Sequence, residues 1–197
     1  MSFKKLITGL ILSMLFSNSV AGELAYDKGL TAYNMGKYKT ALAELKPLAE
    51  DGIPIAQNIL GTMYNHGKGV PQNDNTAVKW FTKAAKQGHA GSQWYLGKMY
   101  EYGTGVTKSD TTAAWWYIKA APRYIPAQYD LGRMYALGNG VPQNNRLAYM
   151  WLNIASYKGN TEATVLKASL AKRMTQANIS KAQDMSSRCV ESNYTDC

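Results

Sequence analysis

Residues 60–70 run Leu60-Gly61-Thr62-Met63-Tyr64-Asn65-His66-Gly67-Lys68-Gly69-Val70, and that stretch comes back twice. It returns as Leu96-Gly97-Lys98-Met99-Tyr100 with Gly103-x-Gly105-Val106, and again as Leu131-Gly132-Arg133-Met134-Tyr135 with Gly138-x-Gly140-Val141. Ala77, Trp80 and Ala84 follow the first copy, Ala113, Trp116 and Ala120 the second, and Ala148, Trp151 and Ala155 the third. The tryptophans lie 36 and 35 residues apart, while the distance from the Gly of each Leu-Gly pair to its Trp is 19 in every copy. A fixed internal spacing with slack only between copies marks a repeat architecture.

Each copy reads as two helices. Ala56, Leu60, Met63 and Tyr64 share one helical stripe, and so do Ala77, Trp80, Phe81, Ala84 and Ala85. The Gly-x-Gly pair breaks the chain between them. Gly61 sits inside a helix at a cost of about 1 kcal/mol relative to Ala, so its return in every copy predicts a helix contact too close for a Cβ. The small residues Ala84, Ala85, Ala120 and Ala121 are the expected other side of that contact. Gly88 and Gly159 occupy helix C-cap positions.

The flanks follow the same plan more loosely. Gly29, Gly36, Tyr38, Ala41 and Leu48 outline a shortened first unit. After Gly159 two further helices are expected, about 161–174 and 176–190, with Thr175 as the N-cap between them. The first 21 residues are a different kind of sequence. Lys4 and Lys5 precede an apolar run from Leu6 to Phe16, and Ser19-Val20-Ala21 places small residues before a cleavage point. That is the layout of a secretory signal peptide. The expected organisation is a leader over 1–21, a shortened first unit over 22–52, repeats over 53–88, 89–124 and 125–159, and capping helices over 160–197.

These residues resemble the Sel1-like repeat (SLR) family, a relative of the tetratricopeptide repeats. The family pattern is approximately A-x3-LG-x2-Y-x2-G-x-GV-x6-A-x2-W-x3-AA-x2-G. The first full copy meets it with Ala56, Leu60, Gly61, Tyr64, Gly67, Gly69, Val70, Ala77, Trp80, Ala84, Ala85 and Gly88. The other copies depart mainly at Ser92, at 122–125 and at Ser156. The resemblance implies an all-α, right-handed superhelical solenoid of helix-turn-helix repeats. Its implied use is partner binding: an exported scaffold, adaptor or inhibitor, with a periplasmic immunity protein against a delivered toxin as one alternative. A cysteine-rich branch of the family is tied to β-lactam binding or hydrolysis. That branch carries a Cys pair in each repeat, and this chain has only Cys189 and Cys197.

Motif by motif, the sequence offers little catalytic chemistry, and no enzyme activity, cofactor or metal is expected. Gly67-Lys68-Gly69 lacks the Lys-Ser/Thr ending of a phosphate loop and reads as a turn. His66 and His89 are unrepeated and read as surface or helix-end residues. The chain has no Gly-x-Ser-x-Gly elbow. Cys189 and Cys197 are expected to form a disulfide closing the C-terminal tail of an exported protein in a periplasmic or secreted location.

Positions that the repeats do not share carry the functional expectation. With the first helix of each pair lining a concave face, the inward residues are Tyr26, Tyr33, Trp94, Lys98, Glu101, Tyr129 and Arg133. Aromatic rings interleaved with Lys98 and Arg133 suit a protein partner with acidic character. Sideways packing of Trp94 and Tyr129 between neighbouring helices is the competing reading. Trp80, Trp116 and Trp151 recur at fixed spacing and are expected in the core, with Trp115 outside it. The chain carries a formal charge of +9, or +7 without the leader. A net +4 falls in 158–188, where Lys158, Lys167, Lys172, Arg173, Lys181 and Arg188 face Glu162 and Asp184. That basic region invites membrane or cell-wall contact. Nucleic acid is not an expected partner, and a monomer is the expected state.

Overall fold

The computed structural model describes residues 22–197, so the expected leader lies outside the described residues. Among the described residues there are ten helices and no strand. They are α1 (22–34), α2 (Tyr38–Glu50), α3 (Pro54–His66), α4 (Asp74–Lys86), α5 (Ala90–Tyr102), α6 (Asp110–Ala120), α7 (Ile125–Leu137), α8 (Asn145–Tyr157), α9 (Thr161–Ala171) and α10 (Gln176–Glu191). The chain is an all-α helical repeat solenoid, and its contacts divide it into two compact units, one ending at Lys83 and one spanning Ala84–Cys197.

In the first unit the core is Ala41, Leu45 and Ala49 from α2 against Ala56, Ile59, Leu60 and Met63 from α3, with Ala32 from α1. Gly61 is buried for the reason its spacing suggests, but its partner is not alanine. A Cβ there would lie 2.6 Å from the Phe81 ring. The same holds in the second unit, where Gly97 meets the Tyr117 ring and Gly132 meets Leu152 at 2.8 Å. The expected small-to-small contact is therefore a correction. The notch left by glycine is filled by the bulky residue that directly follows each repeated Trp. The alanines are buried as well, but elsewhere in the helix interface.

Trp151 is buried, whereas Trp80 and Trp116 are only half-buried, so the core expectation holds fully for one of the three. Trp115 is 50% exposed.

The turn chemistry explains the Gly-x-Gly pair. Gly138 caps α7 in the left-handed region at φ 78°. Gly140 is also left-handed, at φ 69°, and a Cβ on it would run into the Asp110 carbonyl at the start of α6. One glycine thus ends a helix, and the next lets the turn lie against the preceding repeat. The second helices then start on side-chain caps: Asn73 Oδ1 accepts from Thr76 N at 2.8 Å, Ser109 Oγ from Thr112 N at 3.2 Å, and Asn144 Oδ1 from Leu147 N at 3.1 Å.

A buried glutamine recurs four residues before each Leu-Gly glycine and ties each repeat to the one before it. The side-chain amides of Gln57, Gln93 and Gln128 donate to the carbonyls of Ala49, Ala85 and Ala121 at 3.0, 3.1 and 2.7 Å. Each brings a side-chain donor to a helix-end carbonyl of the preceding repeat, and the Ala49 and Ala85 carbonyls accept from Gly52 N and Gly88 N as well.

The C-terminal pair departs from the hairpin plan. Helices α9 and α10 each pack chiefly on α8. Thr175 caps α10 as expected, accepting from Asn178 N at 3.3 Å, while α9 ends at Ala171, three residues early. Cys189 and Cys197 are disulfide-bonded, with Cα atoms 4.7 Å apart. The closed tail lays the Tyr194 ring parallel to Trp151, at 6.4 Å between centroids.

Candidate functional site

The candidate binding face of the second unit is built on α5 and α7. Helix α5 starts on His89, whose Nδ1 accepts from Ser92 N at 3.1 Å, and α7 starts with Pro126 in its first turn. The residues three before, one after and four after each Leu-Gly glycine fall along one stripe, and across the two helices they meet. Trp94 Nε1 donates to Asp130 Oδ2 at 2.8 Å. Arg133 Nη2 donates to Glu101 Oε1 at 2.6 Å and to Asp130 Oδ1 at 3.1 Å. Lys98 Nζ lies 3.8 Å from Asp130 and over the Tyr102 ring, and it donates to the Tyr102 hydroxyl at 3.3 Å. Tyr117 OH, coming from beneath on α6, donates to Glu101 Oε2 at 2.7 Å.

Four sequence-selected residues, Trp94, Lys98, Glu101 and Arg133, therefore belong to one network. Its hub, Asp130, was not among them, and its side chain is only 5% exposed. The signal was available: Asp130 stands two residues before the repeat glycine, where the other copies have Ile59 and Tyr95. A carboxylate in a buried slot requires partners. Two cations and two carboxylates close the account. Burial disfavours the charged guanidinium of Arg133, but the hydrogen bond and charge of Glu101, with Asp130 behind, raise its pKa further. Burial, then the Asp130 and Glu101 charges, push the Tyr117 hydroxyl well above its ordinary value, so it acts as a fixed donor.

Around this closed network the same face presents apolar surface. Tyr102 and Leu137, at equivalent positions five after the glycine, are 64% and 60% exposed. Tyr129 stands apart from the network. It packs on the core of α8 and α9 and, with Val165 and Leu166, lines a cavity of about 540 Å³.

In the first unit, Tyr26 and Tyr33 pack on the α2–α3 core. Tyr33 meets Tyr38 edge-on at 5.5 Å and accepts from Lys68 Nζ at 3.1 Å. Burial, then Asp27, raises the Tyr26 pKa, and the Tyr33 hydrogen bond raises that of Lys68.

The Sel1 repeat model matches residues 54–89, 90–121 and 125–160, more than half of the chain. The chain belongs to the Sel1 repeat family. Among solved structures, a Sel1 repeat protein from Oxalobacter formigenes is 34% identical over 78% of this chain, with a TM-score of 0.71. A protective antigen present in uropathogenic Escherichia coli strains, displaying an SLR fold, is 30% identical over 79% of it, with a TM-score of 0.72. The chain spans 63% of the first of these proteins and 34% of the second. No curated protein matches.

Sel1 repeats in general are platforms for protein–protein interaction. The histidines of this chain serve helix ends. His66 Nδ1 lies 3.0 Å from the Thr62 carbonyl, and burial lowers the pKa of His89, consistent with a neutral ring that accepts at the cap. Among the described residues no His, Cys, Asp and Glu group suits a metal ion, and no helix is long and apolar enough to cross a membrane.

Proposed function

We propose that this Sel1 repeat protein is an exported, non-enzymatic scaffold or adaptor that holds a protein partner along the exposed face of its first helices. The observation carrying this reading is the paired exposure of Tyr102 and Leu137 at equivalent positions of α5 and α7. Tyr is a residue type enriched at binding hot spots, and neighbouring exposed apolar side chains on a rigid base mark a surface suited to a protein partner. Trp94 contributes as a positioning residue of the same helix pair, because its indole on α5 is bonded to Asp130 on α7. Export is supported by the signal-like layout of residues 1–21 and by the Cys189–Cys197 disulfide, which persists in oxidising compartments.

The test is affinity capture from envelope extracts with wild type and Tyr102→Ala/Leu137→Ala. A partner retained by wild type and lost by the double variant, with unchanged circular dichroism, supports the proposal. Equal capture by both would remove this face from consideration. Mass spectrometry of the protein recovered from its own cell should find Gly22 as the first residue; an intact residue 1–21 segment would refute export by cleavage.

A further inference from the structure

The basic excess of the molecule lies almost wholly in the second unit, and within it away from the α5–α7 face. Residues 84–197 hold 13 Lys and Arg against 7 Asp and Glu, whereas residues 22–83 hold 7 Lys against 6 acids. On the α5–α7 face both cations are consumed by Glu101 and Asp130. A different situation holds where α10 crosses α8. Arg146, Lys181 and Arg188 line an open cavity of about 470 Å³ with Met185 and a single carboxylate, Asp184. All three cations are exposed, and none takes part in an ion pair of the described residues.

The sequence places these charges against local electrostatics. Helices α4 and α6 open with Asp74 and Asp110, which suit the positive end of a helix. At the equivalent place α8 opens with Asn145 followed by Arg146, with no acid in its first turn. Lys181 and Arg188, seven apart, share one stripe of α10. With Asp184 as the one acid among them, the three cations leave a net +2 round the concavity, which an entering anion offsets.

We infer that this cavity between α8 and α10 docks an acidic segment of the protein partner, with carboxylates meeting Arg146, Lys181 and Arg188 and an apolar side chain meeting Met185. A protein segment fits better than a bilayer, because the charges surround a concavity that admits projecting side chains. The inference rests on the adaptor reading and names the chemistry of the partner.

The probe is a fluorescein-labelled dodecapeptide of glutamates around a central leucine, with a glutamine version as control, measured by fluorescence anisotropy on the full chain at low salt. Wild type should bind the acidic peptide alone and weaken as salt rises. Arg146→Ala/Lys181→Ala/Arg188→Ala should lose at least about 10-fold in affinity, and the single charge reversal Lys181→Glu a comparable amount. Lys37→Ala/Lys39→Ala/Lys46→Ala removes equal charge from the first unit and should cost less than about 2-fold. No peptide binding, equal loss in both triple variants, or tighter binding to one-to-three phosphatidylglycerol–phosphatidylethanolamine vesicles than to the peptide would each overturn the inference. Because Tyr102→Ala/Leu137→Ala should leave peptide affinity unchanged, failure here is separable from failure of the first-helix reading.

Discussion

The α5–α7 face and the α8–α10 cavity both gather basic residues, yet they spend them in opposite ways. On α5–α7, Lys98 and Arg133 are drawn inward by a nearly buried Asp130 and by Glu101. On α8–α10, Arg146, Lys181 and Arg188 stand exposed with one acid among them. The same residue types are structural in one place and available in the other. Burial of the counter-charge decides which, because a desolvated carboxylate must be paired while an exposed cation is satisfied by water.

That contrast breaks most visibly at Asp130. Asp130→Ala leaves Arg133 and Lys98 without their shared partner and removes the acceptor of Trp94, so thermal unfolding should show a loss of about 3 kcal/mol. A loss under about 1 kcal/mol would mean that this face is as solvated as the cap. Next in size, Cys189→Ser/Cys197→Ser frees the tail that carries Tyr194 over Trp151. Loop closure sets the expected cost at about 2–3 kcal/mol, read by denaturant unfolding. Gln93→Leu should cost about 1 kcal/mol by the same measurement, since it removes one hydrogen bond while the Ala85 carbonyl keeps the one from Gly88 N.

A smaller effect belongs to His89. Its folded pKa is depressed by burial, so the unfolded chain takes up the proton first as pH falls. Stability is therefore complete above the ordinary histidine value near 6.5 and is lost as pH drops from there through the folded pKa. His89→Asn keeps a capping acceptor, and comparing melting temperatures across that window should show the histidine contribution gone. A wild-type profile no steeper than that of the variant would refute the neutral cap. The smallest effect is expected at the cap cavity: Arg146→Ala/Lys181→Ala/Arg188→Ala should change stability by less than about 0.5 kcal/mol. A large loss there would show the three cations to be structural, like those of α5–α7.

Much of the architecture was legible in advance because it is periodic. The Leu-Gly and Trp spacings marked paired helices, and Thr175 announced the last cap. Legibility failed where identity depends on what lies across an interface. Gly61 signalled a close approach but not Phe81 as its occupant. The task of Gln57, Gln93 and Gln128 is set by where their amides reach, the carbonyls of the preceding helix. At the candidate site, the stripe through Trp94, Lys98, Glu101 and Arg133 follows from helical geometry, while Asp130 lies off that stripe and its role shows only when Trp94, Lys98 and Arg133 converge on it.

The sequence by itself determined the repeat, its helix pairs, its family and the Cys189–Cys197 closure, because these depend on spacing along one chain. Only the tertiary structure decided which charges are spent and which remain. That choice turns on the distance and burial of partners from another helix, which bring Asp130 to Arg133 and Lys98 and leave Arg146, Lys181 and Arg188 facing water.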